Sequence, residues 1–283
     1  MVNPRVAFQG EPGAYSELAA TQYFGTSTVV PMNSLQDVFD RLERGEVDFG
    51  VVPIENSIEG SVNETYDLLL DKHIIVSGEV YLRIRHCLIV NKRAGSSLKS
   101  VYSHPQALAQ CKNYLQGKKL HPVATYDTAG SVKLIKQTKT MNAAAIASRR
   151  AAEIYNMDIL EEGIEDNKNN FTRFLIISKT RTKPTGHDGT SLIFSVKHSP
   201  GTLYSILEEF ASRSINLTKI ESRPTREKPW EYNFYVDFEG HVCDEIITDA
   251  LESIKKKTSF IKILGSYKKA IFFGDSATSL ESN

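Results

Sequence analysis

Short apolar runs alternating with helical stripes restrict what this chain can fold into more than any other feature. Arg5-Val6-Ala7-Phe8 is strand-like, and residues 16–24 form a helical pattern stopped by Gly25. Residues 28–32 are strand-like again. Ser34 then stands where it can cap a helix whose Leu35, Val38, Phe39 and Leu42 fall at i, i+3, i+4 and i+7. Asp37 imitates a capping box, and Gly45 sits where a left-handed terminator belongs. Residues 47–52 are another buried strand. Strands separated by helices need crossover connections, so the spacing predicts a largely parallel sheet covered by helices.

The rhythm changes between residues 73 and 90. Leu82, Ile84, His86, Leu88 and Val90 alternate with Tyr81, Arg83 and Arg85, a period of two with no helix following. Such a strand can carry the chain from one lobe to another. Helical patterns return at 104–115, with Pro105 at the first helical position, then at 130–137 and 149–155. The strand-like run 171–178 leads back. The expectation is an α/β unit over residues 1–180 with two lobes around a cleft, the chain crossing near 73–90 and 158–175.

Residues 181–190 contain Pro, two Gly and no apolar side chain, which reads as a linker. Beyond it come a strand at 191–198, a helical stripe of Leu203, Ile206, Leu207 and Phe210, and strands at 215–225 and 231–239. A second stripe of Ile246, Ile247, Ala250, Leu251 and Ile254 precedes a last strand at 260–267. This βαββαβ order over 191–270 is the ferredoxin-like α+β arrangement. The small, polar residues 271–283 read as a disordered tail.

Composition removes several function classes. Lys plus Arg and Asp plus Glu number 34 each, so the basic excess of a general nucleic-acid or membrane-surface binder is missing. No apolar run approaches the roughly 18 residues that span a bilayer, and the first ten residues lack a signal-peptide layout. Cys87, Cys111 and Cys243 are odd in number and widely spaced, which favours free buried thiols in a reducing cytoplasm over disulfides or zinc. The histidines show no metal-ligand spacing, and no phosphate-cradling glycine motif is present, so neither metal nor nucleotide cofactor is expected. His86, in an apolar strand, reads as a core or cleft residue.

Four polar clusters follow strands, where open α/β sheets place ligands. They are Gln9 to Ser16, including Gly13-Ala14-Tyr15-Ser16; Pro53-Ile54-Glu55-Asn56-Ser57; Ser103-His104-Pro105-Gln106; and Asn169-Asn170-Phe171-Thr172-Arg173-Phe174. A loop entering a helix N-terminus offers amides and a favourable dipole to an anion. Taken singly, each cluster also suits an ordinary capped turn.

Together, in this order and at these intervals, the clusters resemble the prephenate dehydratase family over essentially the whole chain. The Thr172-Arg173-Phe174-Leu175 run is embedded in a longer spacing with Tyr155, Met157, Leu160 and Asp166. The C-terminal part is similar to an ACT regulatory domain, and Leu217-Thr218-Lys219-Ile220-Glu221-Ser222-Arg223-Pro224 resembles its phenylalanine-site motif. The resemblance implies a two-lobed catalytic domain like the periplasmic binding proteins, joined to the ACT domain. It implies prephenate as substrate, phenylpyruvate as product, no cofactor, and L-phenylalanine as effector.

It also implies site roles. Thr172 becomes the essential residue, hydrogen-bonding the departing hydroxyl, since a threonine is too weak an acid to give up its proton at neutral pH. Glu55 is a candidate acid if burial raises its pKa, and equally a structural cap. Arg173 is expected to grip a carboxylate, with Phe174, Asn56 and Ser57 orienting substrate and Gly13, Ala14, Tyr15, Ser16, Ser103, His104 and Gln106 completing the binding loops.

Gly201, Thr202 and Leu203, with Glu221, Ser222, Arg223 and Pro224, are expected to hold phenylalanine. Thr202 replaces an alanine common in the family, which either weakens the effector or points its hydroxyl elsewhere. Strand 5–8 lies so near Met1 that a monofunctional protein without a chorismate mutase domain is expected. ACT pairing implies a homodimer or homotetramer. Arogenate as substrate, or a non-catalytic sensor, are the alternatives. Retention of Thr172 argues against the sensor.

Overall fold

The computed structural model describes residues 3–92, 98–225 and 230–270, so the expected tail at 271–283 lies outside the described residues. In chain order the first elements are β1 (Arg5–Gln9), α1 (Tyr15–Phe24), β2 (Thr28–Met32), α2 (Leu35–Glu43), β3 (Phe49–Asn56), β4 (Gly60–Ser61), α3 (Asn63–Asp71) and β5 (Ile75–Arg83). Next come β6 (Cys87–Val90), β7 (Ser100–Ser103), α4 (Pro105–Gln110), α5 (Lys112–Gly117), β8 (His121–Ala124), α6 (Thr128–Gln137), β9 (Ala143–Ala147), α7 (Arg149–Tyr155) and β10 (Asp158–Glu162). The rest are β11 (Phe171–Ser178), β12 (Asp188–Ser195), α8 (Thr202–Ala211), β13 (Leu217–Pro224), β14 (Tyr232–Glu239), α9 (Glu245–Lys257) and β15 (Phe260–Lys268).

The first sheet runs β2-β1-β3-β11-β5, with β4 beside β3. β1 is parallel to both β2 and β3, as the crossovers through α1 and α2 require. The capping box is complete: Ser34 accepts from the Asp37 N–H while the Asp37 carboxylate accepts from the Ser34 N–H. A cap of this kind is worth about 1 kcal/mol.

The second sheet runs β10-β6-β9-β7-β8 and is mixed, which corrects the largely parallel expectation. β7 is parallel to β8 and β9, but β6 is antiparallel to β9 and β10. The cause is the passage between sheets. The chain enters the second sheet at β6 directly from β5, with no helix to reverse it, and leaves through β10 towards β11. β9, Ala-Ala-Ala-Ile-Ala, is wholly buried because both its faces are covered. Ala143, Ala145 and Ala147 pack with Val132, Ile135 and Ala151, whereas Ala144 and Ile146 pack with Val101, Leu108 and Leu115.

The expected helix over 104–115 is broken at Cys111, which sits at φ −115° between α4 and α5. The Gln110 carbonyl, which would continue the helix, instead accepts from Asp166 N at 2.7 Å, and the Asp166 carboxylate accepts from Asn113 N at 3.0 Å.

By compactness the chain divides into residues 3–65 with 80–174, and residues 66–79 with 175–270. In the second unit the sheet runs β13-β14-β12-β15, all antiparallel, with α8 and α9 packed on it. Phe194, Phe210, Val236, Phe238, Ile247 and Ile254 form its core. The expected linker ends early, because the Asp188 carboxylate accepts from Thr185 and Gly186 and so starts β12 three residues before Ser191. Lys262 Nζ donates to the carbonyls of Leu69, Leu70 and Lys72 at 2.7–2.9 Å, satisfying the C-terminal end of α3 within the same unit.

Cys87 and Cys111 are buried free thiols, but Cys243 is exposed in the turn before α9. No helix among the described residues is long and apolar enough to cross a membrane.

Candidate active site

A cavity of about 520 Å³ opens in the first unit. One wall comes from the end of β1 (Gln9), the starts of α1 (Ala14, Tyr15, Ser16) and α2 (Ser34, Leu35), the end of β3 (Asn56) and the strand β11 (Thr172, Phe174). The facing wall comes from α4 (Gln106, Ala107, Gln110), from His104 before it and from Tyr126, Asp127 and Thr128 at the start of α6. This is the carboxyl edge of parallel strands, the usual ligand position in open α/β sheets.

Thr172 is held from behind. Asn56 Nδ2 donates to Thr172 Oγ1 at 2.9 Å, to Asn170 Oδ1 at 2.8 Å and to the Phe171 carbonyl at 3.1 Å. The amide orientation is fixed by its other end, since Asn56 Oδ1 accepts from the N–H groups of Ile58 and Glu59. Because Asn56 donates into Oγ1, the Thr172 proton is left free for another acceptor. A hydroxyl that accepts one bond is also a better donor in the next.

Among the described residues no lysine or arginine lines this cavity. Helix starts at its wall can supply positive potential. α1 begins at Ala14 with no side-chain cap, so its first amides face the cavity with the dipole behind them. α2 and α6 also start at the wall, but Asp37 and Asp127 already accept their terminal N–H groups. Burial raises the Asp127 carboxyl above its ordinary range, against the Gly130 N–H bond that holds it down.

The expected residues therefore separate. Thr172, Asn56, Phe174, Ala14, Tyr15, Ser16, His104 and Gln106 line the cavity together. Arg173 does not. On a strand successive side chains face opposite ways, so with Thr172 and Phe174 inward, Arg173 turns out and its guanidinium lies 6.0 Å from the centre of the Tyr81 ring. The expected grip on a carboxylate is not met within this cavity. Arg173→Lys should change KM by no more than about threefold, and a much larger rise in steady-state assays would contradict the placement.

Glu55 also lies off the cavity, opposite Ser61 in the β3–β4 pair, where it is poorly placed to protonate a ligand there. Ser57 ties its loop to the Asn169 carbonyl and the Phe171 N–H. Ser103, fully buried, donates to the Ile146 carbonyl. Gly13 is structural: at φ +95° a Cβ there would meet Ala151 Cα at 2.6 Å, and the Ser148 hydroxyl donates to its carbonyl. Gln110 is the residue that sequence reasoning misses, although it lies one helical turn after Gln106 on the same face of α4, whereas Asn170 stands in the fourth cluster without a role of its own.

In the second unit, Gly201, Thr202 and Leu203 line a cavity of about 250 Å³ with Val196, Trp230, Tyr232 and Phe234. The Thr202 hydroxyl donates to the carbonyls of Lys197 and Ser199, both at 2.9 Å, so it is turned into its own loop. Glu221, Ser222, Arg223 and Pro224 lie on β13, an edge strand, and do not line this cavity. Arg223 pairs with Asp67 at 2.9 Å.

A mixed α/β unit whose cavity is lined by the Thr172 hydroxyl, joined to a ferredoxin-like fold, defines the class of protein. The sequence matches the model of the prephenate dehydratase family over residues 6–182 and that of the ACT domain over residues 190–256. The prephenate dehydratase of Methanocaldococcus jannaschii is 43% identical over 275 residues, covering 94% of this chain and 98% of that one. The chloroplastic arogenate dehydratase/prephenate dehydratase 2 of Arabidopsis thaliana is 43% identical over 275 residues, covering 93% of this chain and 72% of that one. A crystal structure of prephenate dehydratase in complex with L-Phe from Arthrobacter aurescens superposes with a TM-score of 0.86 at 31% identity, covering 93% of this chain and 89% of that one. This chain belongs to the prephenate dehydratase family.

Proposed function

We propose that the chain converts prephenate to phenylpyruvate, water and carbon dioxide. The observation that carries this reading is the Thr172 hydroxyl, which lines the cavity and accepts from Asn56 Nδ2, beside the uncapped start of α1. The reaction takes up one proton. As the ring C–O bond breaks, the C–C bond to the ring carboxylate breaks as well, its electron pair completes the aromatic ring, and the proton joins the departing hydroxide. Aromatisation drives the step, so no electron sink is needed. The protein must hold two carboxylates, support the charge growing on the leaving oxygen and exclude water.

Thr172 supports that oxygen by hydrogen bonding. The open N-terminus of α1, with Ser16, suits one carboxylate. Phe174, Ala107 and Leu35 supply the apolar wall beside the ring. With Glu55 off the cavity and Thr172 too weak an acid, the proton reaches the leaving oxygen from solvent or from a group brought by closure of the site.

Inhibition by L-phenylalanine at the second cavity, a homodimer or homotetramer formed through the edge strand β13, and a cytoplasmic setting complete the proposal. The free thiols fit the last of these. The test of substrate is turnover of prephenate and arogenate side by side. The expectation is a higher kcat/KM for prephenate, and faster turnover of arogenate would reassign the substrate.

A further inference from the structure

His86, 2 % exposed, lies between β5 and β6 where the chain passes from one sheet to the other, and its ring reaches the cavity wall. Its backbone N–H donates to Glu165 Oε2 at 2.9 Å, which fixes the chain there. Both ring nitrogens are committed. Nε2 is 2.9 Å from Gln110 Oε1, and Nδ1 is 2.9 Å from the Tyr15 hydroxyl. Gln110 Oε1 also accepts from Asn170 Nδ2 at 2.9 Å, while Gln110 Nε2 points to Glu59 Oε1 at 3.4 Å.

An amide oxygen only accepts, so the His86 proton belongs on Nε2. Burial holds the imidazole below its ordinary pKa, so Nδ1 is bare and faces the Tyr15 hydroxyl, whose single proton also has the Arg85 carbonyl as an acceptor at 2.8 Å. The order of donors then continues without a break. His86 Nε2 and Asn170 Nδ2 both donate to Gln110 Oε1; Asn170 Oδ1 accepts from Asn56 Nδ2; and Asn56 Nδ2 donates to Thr172 Oγ1. Turning over the Gln110 amide would set its NH₂ against two donors, at the cost of both bonds.

We propose that His86 is a positioning residue for the reaction: by donating from Nε2 to Gln110 it fixes the amide chain Gln110–Asn170–Asn56 and so aims the Thr172 hydroxyl. With both nitrogens occupied, it passes no proton to substrate. This inference rests on the dehydratase reading above.

Side-chain isosteres separate its two bonds. In His86→Gln the amide nitrogen reaches the place of Nε2 and keeps the donor to Gln110. In His86→Asn it reaches only the place of Nδ1, and Gln110 loses that donor. With prephenate, His86→Asn should lower kcat by about 10²-fold, the cost of a catalytic group held about 1 Å out of place. Its KM should stay within about threefold, and His86→Gln should keep kcat within about tenfold of native. Native kcat in His86→Asn, or an equal loss in a folded His86→Gln, overturns the proposal. Nitrogen NMR of the native ring gives a check independent of folding: a protonated Nε2 with a bare Nδ1 is expected, and the opposite tautomer overturns it. Absence of turnover by the native protein is a different result, and counts against the dehydratase reading itself.

Discussion

Thr172→Ala should lower kcat for prephenate by about 10²–10³-fold, the effect of removing one preorganised donor from a transition state. KM should move far less, because the hydroxyl meets its full demand only as charge grows on the leaving oxygen. Thr172 is buried and small, so losing its hydroxyl and methyl empties little core volume, and the variant should remain folded. Its Asn56 partner keeps Asn170 and the Phe171 carbonyl as acceptors. Thr172→Ser retains the donor with a freer rotamer and should recover part of the rate. A Thr172→Ala protein working at nearly the native rate would make this residue structural.

L-Phenylalanine should inhibit the native protein, and Leu203→Asp should raise the concentration required by about 10²-fold, because an apolar ring would be pressed against an unpaired carboxylate. Leu203 is only partly buried in the apolar wall of the second cavity, so the substitution leaves the core of that unit intact. Uninhibited activity should be close to native. Coupling between two such sites is typically about 1–3 kcal/mol and must be reciprocal, so prephenate should also weaken phenylalanine binding to the native chain. A point change is a cleaner probe than deletion after Lys183, since deletion would remove Lys262 and leave the carbonyls of Leu69, Leu70 and Lys72 without their donor. Inhibition of Leu203→Asp at the native phenylalanine concentration would place the effector in the catalytic cavity instead.

What could be read from residues alone follows from how local each cause is. The cap at Ser34 needs only Asp37 three residues on, and it is complete in the fold. The βαββαβ order needs only periodicity, and the third sheet has it. Residues 143–147, by contrast, have the composition of a helix, and become a strand because helices cover both faces.

The site divides in the same way. Thr172 and Phe174 share a face through the period of two, and the same period sets Arg173 on the other face. Gln110 shares its face of α4 with Gln106, four residues earlier, but its partners His86 and Asn170 lie 24 and 60 residues away, which no local pattern reveals. The amide chain from His86 to Thr172 joins parts of the sequence as far as 116 residues apart, and no local pattern announces it.

The central claim is tested most directly by incubating the purified protein with prephenate after exhaustive dialysis against EDTA and measuring phenylpyruvate and carbon dioxide together. The two products should appear in equal amounts, at the rate of the undialysed protein, and added metal should change nothing. No phenylpyruvate, or phenylpyruvate only after a metal is restored, would contradict a reaction carried by Thr172 and the helix amides.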